Sequence, residues 1–410
     1  ATAGKRIAVI RGPPGTGKSA TIAELVAAHV NTYRTGATKE AQSVMVLTPT
    51  NNTAQDNLRK IKALTVPDRD GRETPIDVSW AVSRSFGQRV QEDTRAWTVG
   101  HKATHMKEAD GSRNIGWDRL REWQEKLDKG KRLTLDEEKC YRMLHKAAVK
   151  ATVKKSEVIV GTVQQAGLAL LKEKKFGLIV IDEAGLVDET MAIAAVALGP
   201  TQLVLVGDEA QMKVRQSSSE GTKLKVESIF HRIVKTLDEQ AVTLTEHWRM
   251  CEACVAPVNK TFYKGQLTVQ HEVNEKRRTE IEKWEMFEDS EKPMTWVDVN
   301  GTEEKEDGMG RSTLNKCEAS TCLEVIKWIM KTAKDVTQND IAVIAGYAAQ
   351  VTHMETILQQ EGLKDVATGT IDKWQGGEKK IVIISTVRTG MPPKGQFIGD
   401  TGRLCVTFSR

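Results

Sequence analysis

Seven short runs of Val, Ile and Leu punctuate the chain: Ile7–Ile10, Val44–Leu47, Val158–Val160, Leu178–Ile181, Leu203–Val206, Ile341–Ile344 and Ile381–Ile384. They do not alternate apolar with polar, as a strand with one wet face would. Continuous β-branched runs read as strands buried on both faces, the signature of a parallel sheet. Helix-like stretches lie between them, such as Ser19–Val30, Ala54–Leu64 and Leu314–Lys331. Parallel strands need crossovers and helices supply them, so the alternation predicts doubly wound α/β folding. At about 150 residues per domain, a chain of 410 residues predicts two to three such domains.

Composition narrows the class. With 39% hydrophobic and 28% charged residues the chain is neither disordered nor fibrous. Six cysteines predict a reducing compartment, cytoplasm or nucleus, rather than a disulfide scaffold. The longest apolar candidate, Met191 to Val206, is broken by Gly199-Pro200 and Gln202, so no membrane span is expected. The net charge of +5 names no partner, but its distribution is uneven. Residues 60–155 hold 22 Lys/Arg against 15 Asp/Glu, and four of the nine tryptophans: Trp80, Trp97, Trp117 and Trp123. The strand–helix rhythm lapses there, which predicts a mostly helical insertion at 65–155 within the first α/β domain. Polar breaks follow at Ser217–Glu220 and at the acidic, Gly-rich Gly301–Arg311.

Chemistry concentrates at strand ends. Gly12-Pro-Pro-Gly-Thr-Gly-Lys18-Ser19 follows the first run and opens the first helix, the context a P-loop requires. Its glycines let backbone N–H groups close around phosphate oxygens, and the helix N-terminus adds a favourable dipole. Gly12, Pro13, Pro14, Gly15, Thr16, Gly17, Lys18, Ser19 and Ala20 are the expected phosphate cradle. Lys18 would reach the β- and γ-phosphates and Ser19 would ligate Mg²⁺. The run Leu178–Ile181 ends in Asp182-Glu183. Asp182 is placed to hold Mg²⁺ and Glu183 to orient and deprotonate an attacking water. Together the two motifs predict nucleoside triphosphate hydrolysis.

A third strand ends at Gly207-Asp208-Glu-Ala-Gln211. From here the chain resembles a superfamily 1 helicase. His247-Trp248-Arg249-Met250, then Phe262-Tyr263-Lys-Gly265, is similar to that family's Gln-Tyr-Arg-Met…Phe-Tyr-x-Gly. Ile371-Asp-Lys-Trp-Gln375-Gly376-Gly377-Glu378, with Val387-Arg388 beyond it, resembles motif V, and Arg403-Leu404…Ser409-Arg410 resembles motif VI. Thr48-Pro49-Thr50-Asn51 is similar to motif Ia and Gly161-Thr162 to motif Ib. The likeness covers residues 5–60 and 156–410 and is greatest to the Upf-type subgroup. That subgroup includes the RNA helicase of nonsense-mediated mRNA decay, senataxin and the immunoglobulin mu-binding helicase. This sequence has His247 for the family's Gln, Trp248 for Tyr, and Cys405 and Thr407 for Asn and Ala.

The resemblance implies two RecA-like P-loop domains, residues 1–238 with the insertion and 239–410, the second continuing past Arg410 by a helix and a strand. It implies ATP and Mg²⁺ as ligands, Gln211 as γ-phosphate sensor, Arg249 and Arg410 as arginine fingers, Trp248 stacked on the base, and Gly377 and Glu378 beside the nucleotide. It also implies that Pro49, Thr50, Asn51, Thr162, Thr386 and Arg388 meet the backbone of single-stranded RNA or DNA, groups suited to sequence-independent contacts. The expected activity is ATP-driven translocation and unwinding, 5′→3′. The alternative is an ATP-gated clamp or scaffold that does not unwind. A monomer is expected, with room for a regulatory protein partner. A four-thiolate zinc site at Cys251, Cys254, Cys317 and Cys322 is not expected, because nothing in the sequence brings the two pairs together.

Overall fold

The computed structural model describes residues 6–36, 43–87, 89–106, 114–214, 226–237, 240–284, 293–305, 312–390 and 399–410. The polar break at 217–220 and the 306–311 part of the acidic break lie outside the described residues. The chain divides into two compact units. The first falls within Ala1–Arg11, Lys18–Gly207 and Val214–Thr243, the second within Gly12–Gly17, Asp208–Lys213 and Leu244–Arg410.

The first unit is built on a seven-stranded sheet, in the order Val78–Ala81, Val158–Thr162, Ser43–Thr48, Phe176–Ile181, Gln202–Gly207, Ile7–Arg11, Val242–Thr243. Every pairing in it is parallel. Phe176–Ile181 and Val158–Thr162 are buried at every residue, which explains why their sequences are apolar on both faces. The core on one side joins Met45, Leu47, Ile159, Ile179, Ile181 and Leu205 to Phe230 and Val234 of the helix Ile229–Leu237. The architecture is the parallel α/β kind that the alternation predicts.

The charged stretch after residue 60 is not all insertion. Val78–Ala81 joins the main sheet as an edge strand in register with Val158–Gly161, and Trp80 within it is fully buried. Four residues carrying Ser79 and Trp80 make a weak strand signal, and burial against a neighbouring strand overrides it. Before it lies a small antiparallel pair, Thr65–Pro67 with Glu73–Pro75. Arg34, at the end of the helix Lys18–Arg34, anchors this pair. Its guanidinium holds Glu157 through two hydrogen bonds of 2.7 Å and donates to the carbonyls of Val66 and Pro75. Beyond the edge strand come two longer helices, Ile115–Asp128 and Leu135–Lys155, the second opened by a Thr134/Glu137 capping box. They share a small core of Ala103, Leu120 and Ala148, with Trp117, Tyr141 and Leu144 partly buried against it.

The second unit carries a three-stranded parallel sheet, with Ile341–Ala345 between Ala367–Thr370 and Ile381–Ser385. The helices Lys316–Thr332 and Ala348–Gln360 supply Ile326, Ile329, Met354 and Leu358 to its core. A second cluster joins Met250, Val255, Val258, Tyr263 and Leu267 to Cys405 of the helix Thr401–Phe408. Among the described residues no helix is long and apolar enough to cross a membrane.

Candidate functional site

In the first unit the parallel register gathers the carboxyl ends of the strands on one rim, where ligands of open α/β sheets bind. Ile7–Arg11 leads into the glycine-rich loop, and Lys18 and Ser19 are the first two residues of the helix Lys18–Arg34. Phe176–Ile181 ends at Asp182, whose backbone N–H donates to the carbonyl of Leu47 at 2.8 Å. Asp182 is 2% exposed. Its carboxylate accepts hydrogen bonds from Asn57 Nδ2 at 2.7 Å and from the Glu183 N–H at 2.9 Å. Burial first, and the Glu183 charge second, raise its pKa well above the usual carboxylate range, while Asn57 and the Lys18 charge oppose the rise. Glu183 itself sits at φ 50°, ψ 40°. That left-handed conformation is rare outside glycine, and strain of this kind collects at functional sites.

These residues suit a hard divalent cation. Each Asp182 oxygen takes one neutral donor and keeps a second lone pair, and a dication relieves both the burial of its charge and its repulsion with Glu183. The Ser19 hydroxyl is a second oxygen ligand of the right type.

The strand-contact candidates of this unit share the same rim. Thr48 and Thr162 are register partners at the ends of Ser43–Thr48 and Val158–Thr162. Pro49 and Thr50 follow directly. Thr50 caps the helix Asn51–Lys62 by accepting from the Thr53 N–H, so Asn51 is that helix's first residue.

The second unit brings together the loop Gly12–Gly17, Gln211, the His247–Met250 segment and Arg410. Gly15 and Gly17 adopt φ of 71° and 83°, which a side chain would strain. A Cβ on Gly15 would also come within 2.5 Å of the His247 ring. His247 is fully buried. Its Nδ1–H donates to the Pro14 carbonyl at 2.9 Å, and its Nε2 accepts the Met250 N–H at 3.0 Å. These partners assign the neutral Nδ1–H tautomer. One donor and one acceptor are also what a Gln amide offers, so the imidazole satisfies both partners where the family has Gln. The Trp248 backbone N–H donates to the Gly15 carbonyl at 2.8 Å, and the residue is 50% exposed.

Burial first, and the Arg249 charge second, push the His247 imidazole down from 6.5 to about 4. Folding therefore favours the neutral ring. Its stabilisation is complete above about pH 6.5 and is lost as pH falls toward 4, on the order of 3 kcal/mol in all. Asp182 titrates in the opposite sense, but it is common to wild type and variant. The thermal midpoint of His247→Gln, taken relative to wild type at each pH, is expected to fall as pH rises from about 4 to 6.5, because only the wild type is penalised at the acid end by its buried imidazole. Parallel curves for the two proteins would contradict this assignment.

Arg249 Nε donates to Glu378 Oε2 at 2.6 Å and its Nη1 to the Ser409 carbonyl at 2.8 Å. Arg410 Nη1 lies 3.4 Å from the Gly377 carbonyl and its Nη2 3.5 Å from Gln211 Oε1. Gln211 Nε2 donates to Asp208 Oδ2 at 2.8 Å, and the same oxygen accepts the Tyr263 hydroxyl at 2.6 Å. Arg249 thus bonds Glu378 and the Ser409 carbonyl while Arg410 approaches Gly377 and Gln211, and the two groups are joined along the chain through the neighbours Gly377-Glu378 and Ser409-Arg410. Helix Thr401–Phe408 approaches so closely that a Cβ on Gly402 would lie 2.7 Å from the Gln211 carbonyl. Elsewhere in this unit, the Thr386 hydroxyl donates to Glu318 at 3.2 Å and Arg388 pairs with Glu303 at 3.0 Å.

Cys251 and Cys322 lie in the apolar core, Cys254 packs against it and Cys317 is exposed. No group of three or more His, Cys, Asp or Glu residues is placed to hold a metal among the described residues.

Three residues of these networks escape motif reading: Asn57, Asp208 in its bridging role, and Glu318. Asn57 had a legible signal. It falls on the buried stripe Ala54, Leu58, Ile61 of its helix, where an unpaired amide is costly and a partner is required.

A family model described as an AAA domain matches residues 1–214, and a second with the same description matches residues 226–410. The chain is 27% identical to the ATP-dependent helicase upf1 of Schizosaccharomyces pombe, over 99% of this chain and 42% of that protein. It is 26% identical to an uncharacterized ATP-dependent helicase of Methanocaldococcus jannaschii, over 98% of this chain and 63% of that protein. A DNA polymerase alpha-associated DNA helicase A of Schizosaccharomyces pombe is 27% identical, over 99% of this chain and 60% of its own length. The chain thus spans less than two thirds of these relatives. On the first model match, which takes in more than half of its residues, the chain belongs to this AAA-domain family, in its Upf-type superfamily 1 branch.

Proposed function

We propose that the chain is the ATP-hydrolysing core of a helicase or translocase acting on single-stranded RNA or DNA, moving 5′→3′. The observation that carries the reading is the Asp182–Glu183 pair on the same strand-end rim as Lys18: one carboxylate buried and hydrogen-bonded, the next held in a strained conformation. The helicases among its relatives and the motif order support the coupling to nucleic acid.

In this reading the Gly12–Gly17 loop and Lys18 bind the β- and γ-phosphates, and Trp248 stacks on the base through its indole. Ser19 and Asp182 would hold Mg²⁺, which when bound neutralises charge on the phosphate oxygens. Glu183 orients a water and takes its proton as the water oxygen bonds to the γ-phosphorus and the bond to ADP breaks. Gln211, Arg249 and Arg410 meet the γ-phosphoryl oxygens, with Gly377 and Glu378 beside the nucleotide. Two RecA-like domains make up the motor, the first carrying Val242–Thr243 as a strand of its sheet and so extending past residue 238. Pro49, Thr50, Asn51, Thr162, Thr386 and Arg388 track the strand, and the basic 65–155 segment adds charge along its path.

The test is ATPase activity with and without poly-ribo and poly-deoxyribo strands, together with displacement of a 5′-tailed duplex. Hydrolysis is expected to rise with one or both strands, and the tailed duplex to open. Lys18→Ala is expected to abolish measurable nucleotide binding. Strand-stimulated hydrolysis without displacement would favour the clamp, and turnover indifferent to every oligonucleotide would remove the nucleic-acid reading altogether.

A further inference from the structure

The turn that follows the strand Ile381–Ser385 holds a backbone outlier. Val387 is fully buried at φ 70°. A β-branched side chain is disfavoured there, and such a conformation persists only where its surroundings over-determine it. One carboxylate does most of that work. Glu318 Oε2 accepts the Ser385 hydroxyl at 2.6 Å and the Val387 N–H at 2.9 Å, and Oε1 accepts the Thr386 hydroxyl at 3.2 Å. The other side of the turn is fastened too. Asn315 Nδ2 donates to the Val387 carbonyl at 3.3 Å, and Asn315 Oδ1 accepts the Glu318 N–H at 3.1 Å. Gln350 closes the network, accepting the Asn315 N–H at 2.7 Å and donating to Ser385 Oγ at 3.1 Å. Asn315, Gln350 and Ser385 are all buried, so the bonds among them are shielded from water and strengthened, while Glu318 and Thr386 are half-buried.

We propose that Glu318, backed by Asn315, is a positioning residue that holds the Ser385–Arg388 turn in the conformation presenting Thr386 and Arg388 to a nucleic-acid strand. This rests on the functional reading above. Glu318 need not touch the strand. It acts through the turn, because three consecutive residues donate to it and only a carboxylate accepts from all three. An Ala at this position removes both acceptor oxygens, so the Val387 N–H and the Ser385 and Thr386 hydroxyls lose their common partner. The turn is then free to relax out of the left-handed conformation, carrying Thr386 and Arg388 with it.

The experiment measures the affinity of the whole chain for fluorescent oligouridylate and oligothymidylate, for a fluorescent ADP analogue, and its thermal midpoint. Glu318→Ala is expected to weaken strand binding roughly tenfold and reduce its salt dependence, while nucleotide affinity stays within about twofold. Adding Val387→Gly, which adopts positive φ without strain, is expected to recover most of the lost strand affinity. A merely structural role predicts otherwise: nucleotide affinity and midpoint fall with strand affinity, and glycine rescues nothing. That result, or unchanged strand binding in Glu318→Ala, overturns the proposal. Failure of the wild-type chain to bind either oligonucleotide would instead overturn the functional reading on which it rests.

Discussion

Replacing Arg410 by Ala is expected to leave ATP bound and to slow its hydrolysis by roughly 10³- to 10⁵-fold, the range for arginine fingers in phosphoryl transfer. The charge that develops on the γ-phosphoryl group spreads over three oxygens, and a planar guanidinium can meet two of them at once. Arg410 lies near Gln211 Oε1 and the Gly377 carbonyl, at 3.5 and 3.4 Å, long contacts that stronger acceptors would replace. Arg410→Lys is expected to recover little, because an ammonium is a point charge and cannot bond in two parallel directions. Single-turnover hydrolysis beside equilibrium binding of a non-hydrolysable analogue separates the two effects. Wild-type turnover in Arg410→Ala would remove this residue from the reaction. Arg249→Ala has a broader expected effect, since its guanidinium also bonds Glu378 and the Ser409 carbonyl.

Glu183→Gln is expected to bind ATP normally and to lose roughly 10²- to 10⁴-fold in turnover, the usual contribution of a general base. The amide keeps the size of the side chain and can still orient water, but it cannot accept the proton. It also removes the negative charge beside buried Asp182, the second cause of that residue's raised pKa. Thermal stability should therefore hold or rise while catalysis collapses, which a folding defect would not produce. Hydrolysis at the wild-type rate would refute Glu183 as the base.

Much of this molecule can be read from its residues before any coordinates are seen, and the parts that cannot have a common cause. Val44–Leu47 and Leu178–Ile181 announce themselves because strands buried on both faces admit little but branched aliphatics. Val78–Ala81 and Ala367–Thr370 belong to the sheets as well, yet Ser79, Gly369 and two threonines carry no such pattern, and their pairing partners alone decide. The site divides the same way. The phosphate loop and the Asp182-Glu183 pair are contiguous in sequence and so legible as motifs. Asn57 meets Asp182 across 125 positions, Tyr263 meets Asp208 across 55 and Glu318 meets Ser385 across 67. Such pairs exist only once the chain has folded. His247 is the intermediate case: its departure from the family's Gln was visible, but its equivalence to an amide needed the directions of its two hydrogen bonds.

The uniform direction of the seven-stranded sheet has a practical use. Its amino-terminal edge, where Ser43, Phe176 and Gln202 begin their strands, carries none of the residues assigned to chemistry or strand contact. A dye or surface tether attached there, through a cysteine placed at Gln202 for example, would let single molecules be watched from behind, with the working edge unencumbered.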